Sequence, residues 1–470
     1  MSNKPAAPQG DGIELELYAK RQKIYPREVH GLFAWLRTSA VLLLLGLYYL
    51  VPWMRWDGRQ AILFDLPERK FYLFGLTIWP QDFIYLSALL ILAALSLFFF
   101  TALAGRLWCG YACPQTVWTE AFLWFERKIE GSRQKQMRLD KMPWNREKVT
   151  RKSIKHFVWI VFSLWTGYTF VGYFTPILEL GAKIAQFSTG PWETFWVLFY
   201  GFATYGNAGW LREQVCVYMC PYARFQSAMV DEDTLIISYD TARGEPRGAR
   251  KRSVDPTEKG LGSCIDCFIC VQACPVGIDI RDGLQYQCIG CAACIDACDD
   301  VMEKMNYPKG LVRYTTQNAM QGKMAHIVRP RIIVYAGILA LVASSVVYGL
   351  LTRDMIGLDV IRDRNALYRE TGQGWIENVY TLKVVNMSEQ AHQFKVRTEE
   401  LHGAKLVEDS RAVDVAGGSV ASYVVRIQVH PDSLNQQSST FKFIITAEDD
   451  ANMRAEENAR FVGPRWIGDK

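Results

Sequence analysis

The sequence predicts a multi-domain membrane protein with an α-helical core of five spans, a cysteine-rich insert on one side of the bilayer and a C-terminal β-sandwich on the other. Three observations predict it. Five stretches carry no charged residue over roughly the 20 residues of a bilayer crossing. All twelve cysteines fall between Cys109 and Cys298, and residues 378–449 alternate apolar and polar side chains. Bulk numbers hide this division. Half of the 470 residues are hydrophobic, 21% are charged and the formal charge is +5. Yet the mean hydropathy of −0.01 is that of a soluble protein, because very apolar and very polar segments cancel. Disordered and fibrous classes are excluded by the apolar content and by the lack of short repeats. A secreted disulfide scaffold is excluded too, since such chains are small and spread their cysteines, whereas the last 172 residues here hold none.

The predicted spans cover residues 38–54, 83–105, 157–178, 194–211 and 332–352. Buried helices of a large soluble protein would explain one such stretch but not five. The fourth is the weakest, diluted by Gly201, Gly206, Asn207 and Gly209. Trp53, Trp56, Trp79, Trp192 and Trp210 crowd the ends, as in an aromatic belt. Residues 105–156 hold twelve basic and five acidic side chains, which retains that loop in the cytoplasm and leaves no need for a nucleic-acid partner. The tail 1–37, with Lys20, Arg21, Lys23, Arg27 and Arg37, then also lies inside, as do residues 212–331, while 179–193 and 353–470 fall outside. The first apolar run reads as a retained anchor rather than a cleaved signal. The expected domains are therefore a tail (1–37), a four-helix core (38–230), a cysteine-rich cytoplasmic domain (231–331), a fifth helix (332–352) and an outer sandwich (353–470).

Within the cytoplasmic segment, Cys264, Cys267, Cys270 and Cys274 follow C-x2-C-x2-C-x3-C-P, closed by Pro275, and Cys288, Cys291, Cys294 and Cys298 repeat the spacing. A cubane cluster needs four thiolates converging on one small volume, and the tight turns of C-x2-C-x2-C bring three together. In two-cluster ferredoxins the fourth cysteine of each run serves the other cluster. The spacing therefore predicts a ferredoxin-like insert with two 4Fe-4S clusters. One would use Cys264, Cys267, Cys270 and Cys298, the other Cys288, Cys291, Cys294 and Cys274. Zinc ribbons pair C-x2-C at wider separation. The second run is followed by Asp299 and Asp300 instead of proline, a residue that shapes the turn but ligates nothing. Ile265, Phe268, Ile269, Ile278, Ile280, Ile289 and Ile295 can form a small core that also shields the clusters from water.

The other four cysteines form two matched pairs. Cys109-Gly110-Tyr111-Ala112-Cys113-Pro114 follows the second span after Arg106, and Cys216-Val217-Tyr218-Met219-Cys220-Pro221 follows the fourth after Arg212. Both read C-x-Y-x-C-P, so the core looks like a duplicated unit of two helices and a dithiol, with the pairs near a pseudo-two-fold axis at the cytoplasmic face. If these segments are helical, positions i and i+4 share a face and each pair presents two sulfurs to one ligand. Four soft thiolates can hold Cu(I), hold a further iron-sulfur cluster or act as redox dithiols. Single buried cysteines often merely pack helix ends, but two pairs with the same flanking Tyr and Pro favour chemistry. Trp108, Met219, His156 and His326 read as packing or interface residues.

Beyond the fifth span, runs such as Tyr380-Thr381-Leu382-Lys383-Val384-Val385 and Phe441-Lys442-Phe443-Ile444-Ile445 predict half-buried strands of a small antiparallel sandwich. With no cysteine and no catalytic triad, it reads as a docking or stabilising module. His392, His402 and His430 read as surface residues.

Five spans, two C-x-Y-x-C-P pairs, a two-cluster segment and a terminal sandwich together resemble the cytochrome c oxidase accessory family called CcoG, FixG or RdxA, over nearly the whole chain. The C-terminal part resembles the immunoglobulin-like domain of that family, and a wider similarity extends to the NapH and NosR types. The resemblance implies a bacterial cytoplasmic-membrane protein that matures the cbb3-type oxidase and acts as a cupric reductase. It further implies four partners: the lipid bilayer, a copper ion, a cytoplasmic electron donor and the oxidase assembly machinery. Cys109, Cys113, Cys216 and Cys220 would then carry the reaction, their sulfurs serving as ligands for copper. Two rival readings are a quinol-linked electron relay and a purely structural assembly factor.

Overall fold

The computed structural model describes residues 23–254, 260–407, 412–434, 436–450 and 452–464; Lys20 and Arg21 of the basic tail lie outside them. The described chain divides into two compact units, one mainly of residues 23–68 and 90–340, the other mainly of residues 76–89 and 341–464.

In chain order the helices are α1 (Leu32–Leu50), α2 (Phe83–Ala104), α3 (Leu107–Tyr111), α4 (Pro114–Glu130), α5 (Arg133–Lys141), α6 (Arg146–Val171), α7 (Ile177–Ala185), α8 (Pro191–Thr204) and α9 (Pro221–Met229). Then come α10 (Ile269–Ala273), α11 (Ala293–Met305) and α12 (Pro330–Leu351). Among the described residues, three helical stretches are long and apolar enough to cross a membrane: Leu32–Trp53, Pro80–Ala104 and Pro330–Leu351. The other two expected spans are helical but less apolar. α6 opens with Arg146, Lys148, Arg151, Lys152 and Lys155, and its later half is rich in Trp, Tyr, Thr, Ser and Gly. α8 stops at Thr204 and continues as a π-helical turn, Tyr205–Leu211, through Gly206 and Gly209. These two helices cross at small residues: a Cβ on Gly167 would stand 2.2 Å from the Val197 carbonyl oxygen, the close backbone approach typical of helix pairs in lipid.

The cysteine-rich part of the first unit is closed by a two-stranded ladder, β1 (Ile236–Tyr239) against β2 (Val312–Thr315). Its core gathers Ile237, Tyr239, Ile280, Ala292, Ile295, Met302 and Leu311 around Cys264 and Cys270.

The second unit contains a β-sandwich of β3 (Ile356–Arg362), β4 (Ile376–Asn386), β5 (His392–Glu399), β6 (Ala404–Leu406), β7 (Ala412–Val415), β8 (Val420–Val429), β9 (Ser438–Ala447) and β10 (Arg454–Val462). One sheet has the order β6–β8–β4–β3 and the other β7–β5–β9–β10, with all these pairings antiparallel. Alternation places Tyr380, Leu382, Phe394, Phe441 and Phe443 in the core, essentially sealed from water. Tyr380 meets both phenylalanines of β9 edge-on at 5.6 and 5.2 Å. It also donates its hydroxyl to the Arg460 carbonyl at 2.8 Å, so the one polar atom in this aromatic cluster is satisfied. His392, expected at the surface, is buried instead: it precedes Phe394 by two residues on the inward face of β5, and its Nδ1 lies 2.8 Å from Asp449 Oδ2. His402 and His430 are exposed.

Candidate functional site

Both four-cysteine runs fold by the same local device. Asp266 and Phe268 in the first run, and Gly290 and Ala292 in the second, take left-handed conformations with φ of 55°, 59°, 69° and 59°. One such residue on either side of Cys267 and of Cys291 reverses the chain twice and winds three thiols inward. Each non-glycine residue held there costs about 1–2 kcal/mol, so the surrounding packing must impose it. Phe268 and Ala292 then cap the starts of α10 and α11. α10 ends at Ala273 because Pro275 bars the helical conformation at Cys274, whose ψ is 120°. With Asp299 where proline would stand, α11 runs on through Cys298 to Met305, and Asp299 Oδ1 accepts the Gly310 amide at 2.8 Å. The acidic pair thus replaces a stop with a continued helix.

Two cavities result. One is walled by Cys264, Cys267, Cys270 and Cys298, the other by Cys274, Cys288, Cys291 and Cys294 with Cys270 at its edge. Cys298 sits with the first run and Cys274 with the second, which is the crossed arrangement. Apart from Tyr239 and Arg281 in the first, the remaining walls are apolar. Burial pushes the Cys270, Cys288 and Cys291 thiols up to about 11 and Cys298 to about 12, and neighbouring thiols act in the same direction. Four sulfur donors per cavity, no oxygen ligand and a dry wall fit an iron-sulfur centre, whose positive irons reverse the preference of each thiol for its proton.

The two membrane-edge pairs differ from the expected geometry. Cys109 lies in α3 and Cys113 caps α4; Cys216 lies in a π-helical turn, Val215–Met219, and Cys220 caps α9. Neither pair shares one helical face, because the proline after the second cysteine breaks the helix there. The break instead puts each second cysteine at a helix N-terminus. Burial raises the Cys113 thiol, while the amides of Gln115 and Thr116 counteract it. Burial pushes Cys109 and Cys216 up to about 12, and the two thiols also feel Cys113, with Cys220 close to Cys113 and Cys216. The four thiols are thus near enough to act on one another electrostatically.

This group abuts the second cavity. Cys109 and Cys216 pack against a small core of Ala273, Ile289, Cys291, Ala293 and Ala297. Gly110 marks the closest approach: a Cβ there would stand 2.7 Å from the Gly290 carbonyl oxygen and 2.9 Å from Cys291 Cα. Tyr314 donates to the same Gly290 carbonyl at 2.6 Å, and its hydroxyl lies 3.4 Å from that of Tyr111, which gives the tyrosine of the first C-x-Y-x-C-P motif a role. A cavity of about 470 Å³ borders Cys216 and Cys291, with exposed Trp35 and Trp124 in its wall.

Several residues of this site are not legible in the pattern of spans and cysteines. Arg212 is buried, adopts φ 48° and holds Glu126 at 2.8 Å. Lys155 lies 3.2 Å from Glu126 and 2.9 Å from Glu130, and Lys152 lies 2.9 Å from Glu130. The i,i+4 spacing of Glu126 and Glu130, facing Lys152 and Lys155 on the next helix, is the sequence signal for this network. His156 accepts or donates at 2.9 Å to the Tyr205 hydroxyl and stacks on Trp210, while exposed His326 uses its backbone amide on Asp233.

Comparison with known proteins bears on the same segments. A 4Fe-4S dicluster domain profile matches residues 211–317, and a 4Fe-4S binding domain profile matches residues 86–131, which include Cys109 and Cys113. The profile of the IG-like fold at the C-terminus of FixG matches residues 346–464. With the apolar helices, these define a membrane iron-sulfur protein of the electron-transfer class that carries an immunoglobulin-like C-terminal domain. The chain is 37% identical to the nitrogen fixation protein FixG of Rhizobium meliloti, over 95% of this chain and 90% of the relative. It is 41% identical to RdxA of Cereibacter sphaeroides over 87% and 90%, and 41% identical to RdxB of the same organism over 81% and 82%. The chain belongs to the FixG/RdxA family. A crystal structure of a FixG-related protein from Vibrio parahaemolyticus is 32% identical, covering 23% of this chain and 96% of that one, with a TM-score of 0.22.

Proposed function

We propose that this protein is a cytoplasmic-membrane reductase that takes single electrons from a cytoplasmic donor and passes them to Cu(II), producing Cu(I) for assembly of a cbb3-type cytochrome c oxidase. The observation that carries this reading is the packing of Cys109 and Cys216 against the core that contains Cys291. Cys264, Cys267, Cys270 and Cys298 would hold one 4Fe-4S cluster, and Cys288, Cys291, Cys294 and Cys274 the other. Such clusters supply one electron at a time at low potential. The apolar walls exclude water, and Gly110 removes any side chain between the second run and the Cys109 backbone. Cys109, Cys113, Cys216 and Cys220 receive copper as substrate, and their thiolates favour Cu(I) over Cu(II). The reaction Cu²⁺ + e⁻ → Cu⁺ moves no proton. Three crossings or five, the number is odd, so a cytoplasmic N-terminus and cluster domain put the sandwich in the periplasm, where it can meet the assembly machinery.

A quinol-linked relay is the second reading, favoured by the cavity that borders Cys216 and Cys291 beside Trp35 and Trp124. One experiment separates the readings. Protein reduced under anaerobic conditions is mixed with Cu(II) and a Cu(I)-specific chelator. Wild type should reoxidise in step with Cu(I) formation, and Cys109→Ser and Cys216→Ser should each slow this by about tenfold or more, equivalent to about 1.4 kcal/mol in the barrier. Clusters that stay reduced with no Cu(I) formed would refute the reductase. Rapid oxidation by a quinone analogue instead would establish the relay, and clusters that exchange electrons with neither would leave a structural assembly role.

A further inference from the structure

Helix α1 is fastened to the second cysteine run at two points. The amides of Phe33 and Ala34 donate to the Asp296 carboxylate at 3.2 and 2.6 Å, so a buried side chain from α11 supplies the N-cap that Gly31 cannot. Gly31 leaves room for this cap: a Cβ there would crowd the Asp296 carboxylate and displace it. One turn further on, Arg37 Nη1 donates to the Cys291 carbonyl. That acceptor is neutral, so the guanidinium charge is not cancelled by it. Of the acids nearby, Asp296 is engaged by the start of α1, and Glu120 on α4 is paired with Arg127 at 3.0 Å. The first run has a guanidinium contact of its own, Arg250 donating to the Cys264 carbonyl at 3.2 Å, and a second arginine beside it, Arg281, is neutralised by Asp266 and Asp279, each at 2.5 Å.

We infer that Arg37 is a tuning residue for the centre held by Cys274, Cys288, Cys291 and Cys294, and that its fixed charge raises the reduction potential of that centre. The inference rests on the cluster assignment proposed above. Reduction adds one negative charge to a cluster in a dry pocket, where a nearby cation stabilises the added charge more than it would in water. Charge and hydrogen bonds around the ligands set iron-sulfur potentials in this way. The hydrogen bond to the Cys291 carbonyl fixes the distance at which the charge acts. A helix long and apolar enough to cross the membrane would then carry, near its start, a control on the cluster beside Cys109 and Cys216.

The test is a redox titration of the full-length protein in detergent, followed by electron paramagnetic resonance, with the two signals assigned through Cys291→Ser. Arg37→Gln should lower the midpoint of the second centre and leave that of the first in place. Arg37→Lys, which keeps the charge, should lower it less. An unchanged second midpoint in Arg37→Gln, or an equal shift in both centres, overturns the inference. Should Arg37→Gln fail to retain iron, Arg37→Lys carries the test: a lysine keeps the charge but not the guanidinium's contact with the Cys291 carbonyl, so the second midpoint should fall while the first holds, and an unchanged second midpoint would overturn the inference. A wild type lacking two 4Fe-4S signals would refute the cluster assignment itself.

Discussion

Gly110 shows where legibility ends at the scale of single residues. The cluster cysteines announce themselves, because spacing alone states which thiols can converge. Gly110 sits inside a recognisable motif, yet its importance comes from Gly290 and Cys291, whose backbone it meets, and no local pattern encodes a partner 180 residues away. Gly110→Ala should therefore force the two segments apart, at an overpacking cost of about 1–3 kcal/mol. Iron content should be retained while the proposed electron transfer to Cu(II) slows. Unchanged reoxidation kinetics in Gly110→Ala would show that this contact does not govern transfer. Arg212 makes the complementary case: it stood out in the sequence beside a cysteine pair, but its task, an ion pair with the buried Glu126, depends on α4.

Among the elements, proline placement was readable and its consequence was not. A residue before proline avoids the helical region, so the second cysteine of each pair ends up capping a helix rather than sharing one face with the first. The same competition explains why α6 and α8 look weaker as spans than their lack of charge implied: their aromatic, hydroxyl and glycine residues serve a tight mutual crossing. Ion pairs through Asp140 tie α5 to the N-terminal segment at Lys23 and to α6 at Lys152. Burial alone would raise the Asp140 carboxyl, but hydrogen bonds from Lys152, Lys23 and Tyr25 hold it well below the usual carboxylate range. A depressed folded pKa contributes stability above the unfolded value of about 4 and loses it as the pH falls below that value. The thermal stability of wild type should accordingly fall on acidification below about pH 4. Asp140→Asn should flatten that dependence and cost about 1–2 kcal/mol at neutral pH, less than a fully buried pair would lose. Equal acid sensitivity in both proteins would exclude Asp140 as the titrating group.

For the whole molecule, the division into an apolar helical part, a cysteine-rich part and a β-sandwich was legible because each has its own periodicity and composition. The burial of His392 was not, since one polar residue at an inward strand position reads like any other until its partner is known. The sandwich belongs to a unit with its own core, so residues 353–464 alone should unfold cooperatively in urea. Phe441→Ala should lower their stability by about 3–5 kcal/mol without altering iron content in the full chain. Loss of iron on that substitution would show that the second unit supports cluster retention.

The clamp between α1 and α11 joins residues 262 apart in the chain. During synthesis α1 leaves the ribosome long before Asp296 exists, so its first amides wait through most of translation for their cap. Where α1 enters the membrane as it emerges, its insertion precedes completion of the second cysteine pocket. A nascent chain arrested before residue 291 would hold an anchored first helix and no finished site, which places the loading of that pocket after the protein has already reached its membrane.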